Sequence, residues 1–270
     1  MPEGDTVYRA ARRLHSALSG HVLTKTDFRI PSLATRDAAG ATVVETVSRG
    51  KHLLMRFDNA LTLRTHLKME GGWSVHPHGT RWRRPWHTAR VVLHTGSMEA
   101  VGFQVLVDLV PSSAEPDLVG HLGPDLLGPD WDPDLAETRL RAQPEVPLGE
   151  ALLEQRNLAG VGNVFKSELC FLARVDPRTP VGAVPDLAAV VATAQQLLEV
   201  NKLRPQRITT GDHRPGFRLW VYGRHGGCLR CGTGVRKAYR GPLGQERPTY
   251  WCPTCQPLLG AARGSADERR

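Results

Sequence analysis

Two closely spaced pairs of cysteines constrain the fold of this 270-residue chain more than any other feature. Both pairs have the pattern C-x-x-C, and twenty residues separate them; the four residues are Cys228, Cys231, Cys252 and Cys255. Structural zinc is bound by four thiolates in a tetrahedron, and each C-x-x-C turn can supply two of them. The residues between the pairs, at 235–240 and 249–251, are typical of a β-hairpin. We therefore predict a zinc-ribbon hairpin with one structural Zn²⁺, and we expect the fifth cysteine, Cys170, to be a small buried side chain.

The first 120 residues have the pattern of one helix followed by a β-rich domain. Apolar residues recur at helical spacing over 5–18. Short β-type runs follow, and Gly, Pro and Asn-Ala separate them. This order predicts an antiparallel β-sandwich or barrel behind an N-terminal helix. The predicted strands are 41–47, 53–57, 61–65, 89–94 and 101–108.

After a stretch rich in Pro, Gly and Asp at 120–133, the pattern becomes helical. It predicts helices at 133–141, 148–155, 164–172 and 187–203, and a short strand at 217–222. The expected fold class is therefore α+β with several domains. The expected division is a β-sandwich domain at 1–120, a linker at 121–132, a helical domain at 133–225, the zinc hairpin at 226–258 and a disordered tail at 259–270.

The distribution of charge indicates a polyanionic partner. The net charge is +8, and residues 201–251 contain eleven Lys and Arg against two acidic residues. A local excess of this size favours nucleic acid, because each neutralised phosphate releases counterions. No run of 18 apolar residues is present, so we expect no membrane span. Charged residues throughout the first twenty positions argue against a secretory signal and predict a cytoplasmic protein.

The extreme N-terminus has a pattern that suits covalent catalysis. Pro2 follows Met1, and a small second residue usually permits removal of the initiator. The mature chain would then begin with a secondary amine beside the carboxylate of Glu3. An α-amine has a pKa roughly 2 units below that of lysine, so more of it is neutral and able to form a Schiff base with a sugar aldehyde. On this evidence alone, Met-Pro is equally a common way for a protein to begin.

A glycine-containing corner at 158–163, Leu-Ala-Gly-Val-Gly-Asn, precedes a predicted helix. Glycines at such a point let backbone N–H groups approach an anion, and the helix N-terminus favours negative charge. Asn163 can cap the helix or donate a hydrogen bond to a phosphate. An ordinary corner between two helices with a capping Asn explains the pattern equally well.

Taken together and in order, these motifs resemble the formamidopyrimidine-DNA glycosylase and endonuclease VIII family. The resemblance covers nearly everything from residue 2 to 256. It implies a helix-two-turn-helix arrangement in the helical domain, with DNA in the cleft between the two main domains. The motifs that carry it are Pro2-Glu3-Gly4, Arg49-Gly50-Lys51-His52-Leu53-Leu54, His66-Leu67-Lys68-Met69, the corner at 158–163, Val221-Tyr222-Gly223-Arg224 and Arg247-Pro248-Thr249-Tyr250-Trp251-Cys252.

The resemblance implies a bifunctional DNA glycosylase and abasic-site lyase of base excision repair, acting on damaged DNA that is duplex or partly single-stranded. Pro2 would be the nucleophile that attacks C1′ of the damaged nucleotide, and Glu3 would be the general acid. Lys51 and Arg247 would complete the catalytic set by holding the phosphates at the lesion. β- and δ-elimination would then cut the strand. A bacterial, nucleoid-associated monomer fits this interpretation.

The family pattern also implies a set of DNA-binding residues. Lys51, Asn163 and Arg247 would bind phosphates around the extruded nucleotide, and Arg247 suits this role because its planar fork can donate two hydrogen bonds. Met69 would fill the gap that the extruded base leaves, for which an unbranched thioether is well shaped. Further residues that fill this gap stay open, because residues 98–109 lack an Arg-x-Phe pattern.

Two departures from the family pattern bear on the substrate. The segment 207–217 is short, which favours the endonuclease VIII branch and oxidised pyrimidines, and the start Pro-Glu-Gly-Asp-Thr looks like an actinobacterial subgroup of that branch. Asp5 either replaces a second acidic residue of the family or only starts the helix. The alternatives to a full glycosylase are a non-catalytic zinc-ribbon protein that binds damaged or bent DNA, and an abasic-site lyase with little glycosylase activity.

Overall fold

The computed structural model describes residues 2–241, 244 and 246–260. Residues 1, 242, 243, 245 and 261–270 lie outside these ranges, and the last of these groups makes up most of the predicted tail. Within the described residues, no helix has both the length and the apolar character needed to cross a membrane.

The N-terminal part is a β-sandwich with one helix packed against it, as predicted. Helix α1 (Gly4–Leu18) buries the face that carries Val7, Ala11, Leu14 and Leu18, because these residues recur every three or four positions. Side chains from α1 and from both sheets form one apolar core. The first antiparallel sheet has the order β2-β3-β4-β8 (Val43–Arg49, His52–Phe57, Leu61–His66, Leu106–Pro111), and the second has the order β1-β6-β7-β5 (Lys25–Phe28, Ala89–His94, Met98–Phe103, Gly72–Pro77).

Three of the predicted strands need correction. The single strand predicted at 101–108 is wrong, because the chain reverses at Gln104, which has a φ of 52°, and forms β7 and β8 on different sheets. The strand predicted at 217–222 is also absent: this backbone donates hydrogen bonds to a buried carboxylate instead of to another strand. The strand predicted at 41–47 begins at Val43 and continues to Arg49. Strands β1 and β5 were not predicted.

The C-terminal part contains helices packed around a second core, followed by the hairpin. The predicted helices at 148–155 and 187–203 are shorter in the structure, ending at Ala151 and Asn201. The hairpin packs on α5 through a small cluster that includes Phe171, Val221 and Tyr250. The elements are α2 (Glu115–Val119), α3 (Pro133–Arg141), α4 (Leu148–Ala151), α5 (Asn163–Leu172), α6 (Leu187–Asn201), β9 (Arg236–Arg240) and β10 (Arg247–Trp251).

Two polar contacts fix the N-terminal part against the helical part. The Gly4 N–H donates to the carbonyl of Gly160 at 2.9 Å, and the Gly50 N–H donates to the Asp125 carboxylate at 2.8 Å. Gly50 has a φ of 57°, and a Cβ there would lie 2.9 Å from that of Ala159, so the close approach requires glycine. The start of the chain is therefore held at the junction of the two parts.

Candidate active site at the chain start

Glu3 is fully buried and is bound by the N-terminus of α5. Its carboxylate accepts hydrogen bonds from the N–H groups of Gly162 (2.9 Å), Val164 (2.8 Å) and Phe165 (3.3 Å). The first turn of a helix leaves such donors without partners, and its dipole favours a negative charge. A Cβ on Gly162 would overlap the Glu3 carboxyl group. The glycine corner therefore binds an anion, and in this structure the anion belongs to the chain itself.

Asn163 does not cap the helix that it begins. The N-cap residue is Gly162, which has extended backbone angles and no side chain of its own to cap the helix. Asn163 is buried, and its Oδ1 lies 3.5 Å from the Lys166 Nζ. The sequence allowed two interpretations of this corner, a phosphate-binding site or an ordinary corner capped by Asn163. Both are incomplete, because the carboxylate of Glu3, 159 residues before Gly162, occupies the helix N-terminus.

Lys51 lies at the turn between β2 and β3, beside the groups just described. Burial lowers the pKa of its ammonium group to about 8; the nearby Glu3 raises this pKa, and the nearby Arg247 and Arg207 lower it. Lys51 therefore lies close enough to Glu3 and Arg247, which are far apart from it in sequence, for their charges to act on its pKa. The folding of the chain brings together these three predicted site residues.

Lys166 joins α5 to the zinc hairpin and was missed by sequence reasoning. It is buried, and its Nζ donates to the Thr249 hydroxyl at 2.8 Å and to the Pro248 carbonyl at 3.3 Å. These partners directly follow Arg247, the exposed first residue of β10. Burial lowers the pKa of Lys166 to about 8. The available signal was a lysine within a helix that has only one other charged residue, Glu168.

Asp5 forms a buried ion pair with Arg207. The Arg207 side chain donates to its two carboxylate oxygens, from Nε at 2.7 Å and from Nη2 at 2.6 Å. The guanidinium also lies over the Phe165 ring, and its Nη1 is 3.8 Å from a Glu3 oxygen. Asp5 therefore does more than start α1: it ties the chain start to the segment after α6. Arg207 was not predicted.

The Arg207→Met substitution should destabilise the protein by about 3–5 kcal/mol, because it leaves the buried Asp5 carboxylate without its charge partner. The matched control is Arg214→Met, which removes an exposed pair with Asp212 from the same segment. For the control we expect no measurable change. Urea unfolding followed by circular dichroism measures both. Equal midpoints for the two variants would contradict a structural role for the Asp5–Arg207 pair.

A cleft of about 790 Å³ opens beside the chain start. Pro2 and Met69 both line it, and Met69 is 56% exposed on the loop between β4 and β5. The only acidic residues that line it in the described chain are Asp5, already paired with Arg207, and Glu70. The cleft is therefore basic; the arginines that line it are Arg9, Arg84, Arg207, Arg218 and Arg224.

The four predicted zinc ligands form one cluster. Their sulfur atoms all lie within 4.8 Å of one another, with Cys228–Cys255 at 4.0 Å and Cys231–Cys252 at 3.5 Å. A tetrahedral zinc with bonds near 2.3 Å requires sulfur separations of about 3.8 Å. The four thiols therefore fit the ion. Cys170 lies apart in the helical core, where burial raises its pKa to about 12, as suits an inert side chain.

Comparison with known families identifies the chain. The model of the formamidopyrimidine-DNA glycosylase N-terminal domain matches residues 1–105, and the model of that glycosylase's H2TH domain matches residues 122–205. The chain belongs to this family. The match to the H2TH model confirms the predicted helix-two-turn-helix arrangement in this member of the formamidopyrimidine-DNA glycosylase and endonuclease VIII family.

Curated relatives and solved structures agree with this assignment. A protein of Streptomyces coelicolor named probable endonuclease 8 2 is 57% identical, over 95% of this chain and 94% of its own. A Mycolicibacterium smegmatis protein named DNA-(apurinic or apyrimidinic site) lyase Nei2 is 47% identical, over 95% and 99%. The Lactococcus lactis glycosylase in complex with DNA containing an oxidised pyrimidine has a TM-score of 0.79 at 21% identity, covering 95% of this chain and all of that one. This structural likeness shows the fold.

Proposed function

We propose that the chain is a bifunctional DNA glycosylase and abasic-site lyase of base excision repair that removes oxidised bases, with oxidised pyrimidines favoured. One observation carries the proposal: Pro2 lines the basic cleft while the adjacent Glu3 carboxylate is fixed on the N-terminus of α5. A nucleophile and a proton-transfer group are thus held side by side where a polyanion can enter. The names of the relatives from Streptomyces and Mycolicibacterium support this assignment.

In the proposed reaction, the Pro2 nitrogen forms a bond to C1′ of the damaged nucleotide as the bond from C1′ to the base breaks. The base leaves with a proton. The sugar ring then opens to an imine, and Glu3 supplies the proton for the ring oxygen. Loss of a C2′ proton breaks the C3′–O bond in β-elimination, and δ-elimination breaks the C5′–O bond. Water accepts the protons that the sugar loses, and hydrolysis of the remaining imine frees Pro2.

Around this centre, Lys51, Asn163 and Arg247 are proposed to bind the phosphates of the lesion strand. The electrostatic coupling among Lys51, Glu3 and Arg247 supports this role. Met69 is proposed to enter the stack where the base has left, which its exposure on a loop of the cleft supports. A structural zinc held by the four cysteines would keep β10, and with it Arg247, in place. We propose that the protein acts as a monomer in the bacterial cytoplasm.

A second candidate is an abasic-site lyase with little glycosylase activity. It is favoured by the name of the Mycolicibacterium relative, which mentions only the lyase activity. The imine at Pro2 is common to both candidates. They differ in whether a damaged base is removed before the strand is cut. A substrate with the base present therefore separates them.

Borohydride trapping tests the proposal directly. Zinc-loaded protein, shown by mass spectrometry to lack Met1, is incubated with DNA that carries an oxidised pyrimidine, an abasic site or neither. We expect covalent adducts on both damaged substrates and none on undamaged DNA, because reduction fixes only an imine to the sugar. The Pro2→Gly variant should form the adduct more slowly than the wild type, because it exchanges the secondary amine of proline for the primary amine of glycine.

The outcomes separate three activities. Adducts on both damaged substrates support the bifunctional enzyme, and an adduct on the abasic site alone supports the second candidate. No adduct from protein without Met1 on any substrate would leave a non-catalytic, damage-binding zinc protein. A reduced adduct that peptide mass spectrometry maps to a residue other than position 2 would assign the amine to that residue.

A further inference from the structure

The segment between β5 and β6, residues 78–88, has an unusual composition. From residue 71 to residue 98 the chain contains no Asp or Glu. Three arginines and two tryptophans fall within six positions: Arg81, Trp82, Arg83, Arg84 and Trp86. Cations interleaved with aromatic rings are typical of surfaces that bind single-stranded nucleic acid, where the rings stack on bases. We call residues 78–88 the tryptophan segment.

Strand register places the end of this segment at the cleft. Gly72 of β5 and Ala89 of β6 both pair with Phe103 of β7, so the segment leaves the far end of β5 and returns to the end where Met69 lies. The Gln104 N–H donates to the Thr88 carbonyl at 2.8 Å, which joins the segment to the turn between β7 and β8. The loop between β4 and β5, the end of the tryptophan segment and the turn between β7 and β8 therefore meet at one edge of the sandwich.

Arg84 connects the tryptophan segment to the cleft itself. It lines the cleft, and its Nη1 donates to the Glu70 carbonyl at 2.9 Å, directly after Met69. Strand β7 lies between β5 and β6 in the sheet, so β5 and β6 are two strand spacings, or about 10 Å, apart. This distance corresponds to roughly three nucleotides along a stacked strand. DNA bound with its lesion at Met69 would thus pass the end of the segment.

The two tryptophans of the segment have opposite environments. Trp82 is an anchor: its Nε1 donates to the Glu99 carboxylate at 2.6 Å, and its ring contacts Phe103 edge-on. Trp86 is 73% exposed, although its backbone is held, since its carbonyl accepts from Arg29 at 3.4 Å. Its described ring contact is an edge-on approach to His87 with centroids 6.2 Å apart. The Trp86 ring is therefore largely exposed to solvent, while its backbone is held by Arg29.

We propose that Trp86 is a stacking platform for an unpaired base of the DNA strand that flanks the lesion, with Arg81 and Arg83 facing its phosphates. The inference rests on the proposed function, because it takes DNA in the cleft as given. A base in intact duplex is stacked on both sides and cannot offer its face to the ring, whereas a single-stranded or bubble region can. Trp86 thereby directs the protein toward lesions in partly single-stranded DNA.

Binding measurements with a non-cleavable lesion test this role. Full-length, zinc-loaded protein is titrated into fluorescein-labelled DNA that carries a tetrahydrofuran abasic analogue, as a single strand, within a bubble, or in a full duplex. We expect Trp86→Ala to bind the single strand and the bubble at least about fivefold more weakly than the wild type. On the duplex the change should stay below about twofold. Trp86→Phe should retain most of the affinity because it keeps an aromatic face.

Leu203→Ala is the matched control, since Leu203 is an exposed hydrophobic side chain (63%) outside the segment; it should change none of the affinities. Equal affinities of Trp86→Ala and wild type on all three DNAs would overturn the proposal, as would an equal loss on all three or a wild type that does not bind the single strand. The analogue cannot be cleaved through an imine, so these results are independent of borohydride trapping. A failed trapping experiment with the expected binding pattern would overturn only the proposed catalysis.

Discussion

The Glu3→Gln variant should cleave abasic-site DNA roughly 10²–10⁴-fold more slowly than the wild type, because it removes a positioned proton-transfer group. The carboxylate lies on the first turn of α5 and directly follows Pro2, so no other group of the chain start can take its place. Single-turnover cleavage under saturating enzyme isolates the chemical step from DNA binding. The matched control is Glu70→Gln, which changes an exposed carboxylate that lines the same cleft. The control should cleave at close to the wild-type rate.

The same substitution should also lower the free energy of unfolding by about 1–3 kcal/mol. Three backbone N–H groups donate to the two oxygens of Glu3, and an amide keeps only one of those oxygens while adding a donor. At least one buried N–H then lacks an acceptor. Urea unfolding measures this loss, and cleavage is compared at a temperature where both proteins are folded. A variant that cleaves within tenfold of wild type would show that Glu3 serves the fold and not the chemistry.

The sequence predicted those features that depend on local patterns. The apolar spacing of α1, the two C-x-x-C turns and the hairpin between them are all set by residues close together in the chain. The family motifs added the order of the domains and the helix-two-turn-helix arrangement. Local patterns failed at the turn between β7 and β8, because the apolar run continues through it and Gln104 takes a positive φ without any of the usual turn residues.

The contacts that shape the candidate site could not be predicted, because each joins residues that are distant in sequence. Asp5 and Arg207 are separated by 202 positions, and neither residue type is unusual in its own surroundings. The segment predicted as a strand at 217–222 depends in the same way on Glu168, whose buried carboxylate accepts from the N–H groups of Trp220, Val221 and Tyr222. The Glu168 carboxylate accepts the hydrogen bonds that a partner strand would otherwise accept. The residues around Glu168 in the sequence do not indicate this role.

Removal of the proposed zinc ligand Cys252 should have the largest effect on the C-terminal part of the protein. Structural zinc contributes about 10–16 kcal/mol to the folding of small zinc domains near neutral pH. The hairpin has little other core, and Cys252 belongs to the small cluster that packs β10 on α5. Without zinc, Lys166 would lose its Thr249 and Pro248 partners, and Arg247, which directly precedes Pro248, would no longer be held by this contact. Loss of zinc should therefore disrupt both the fold of the C-terminal part and the binding of DNA.

We accordingly expect Cys252→Ser to contain less than one equivalent of zinc, to unfold at a lower temperature and to lose most of its affinity for DNA with an abasic analogue. Metal analysis, thermal unfolding and fluorescence anisotropy measure the three effects, and treating the wild type with a strong chelator should reproduce them. Cys170→Ala is the control, because Cys170 is equally buried but lies in the helical core; it should keep its zinc and its DNA affinity. If the chelated protein bound DNA as tightly as the untreated one, Arg247 would not depend on the metal for its position. The hairpin would then be held by its packing on α5 alone.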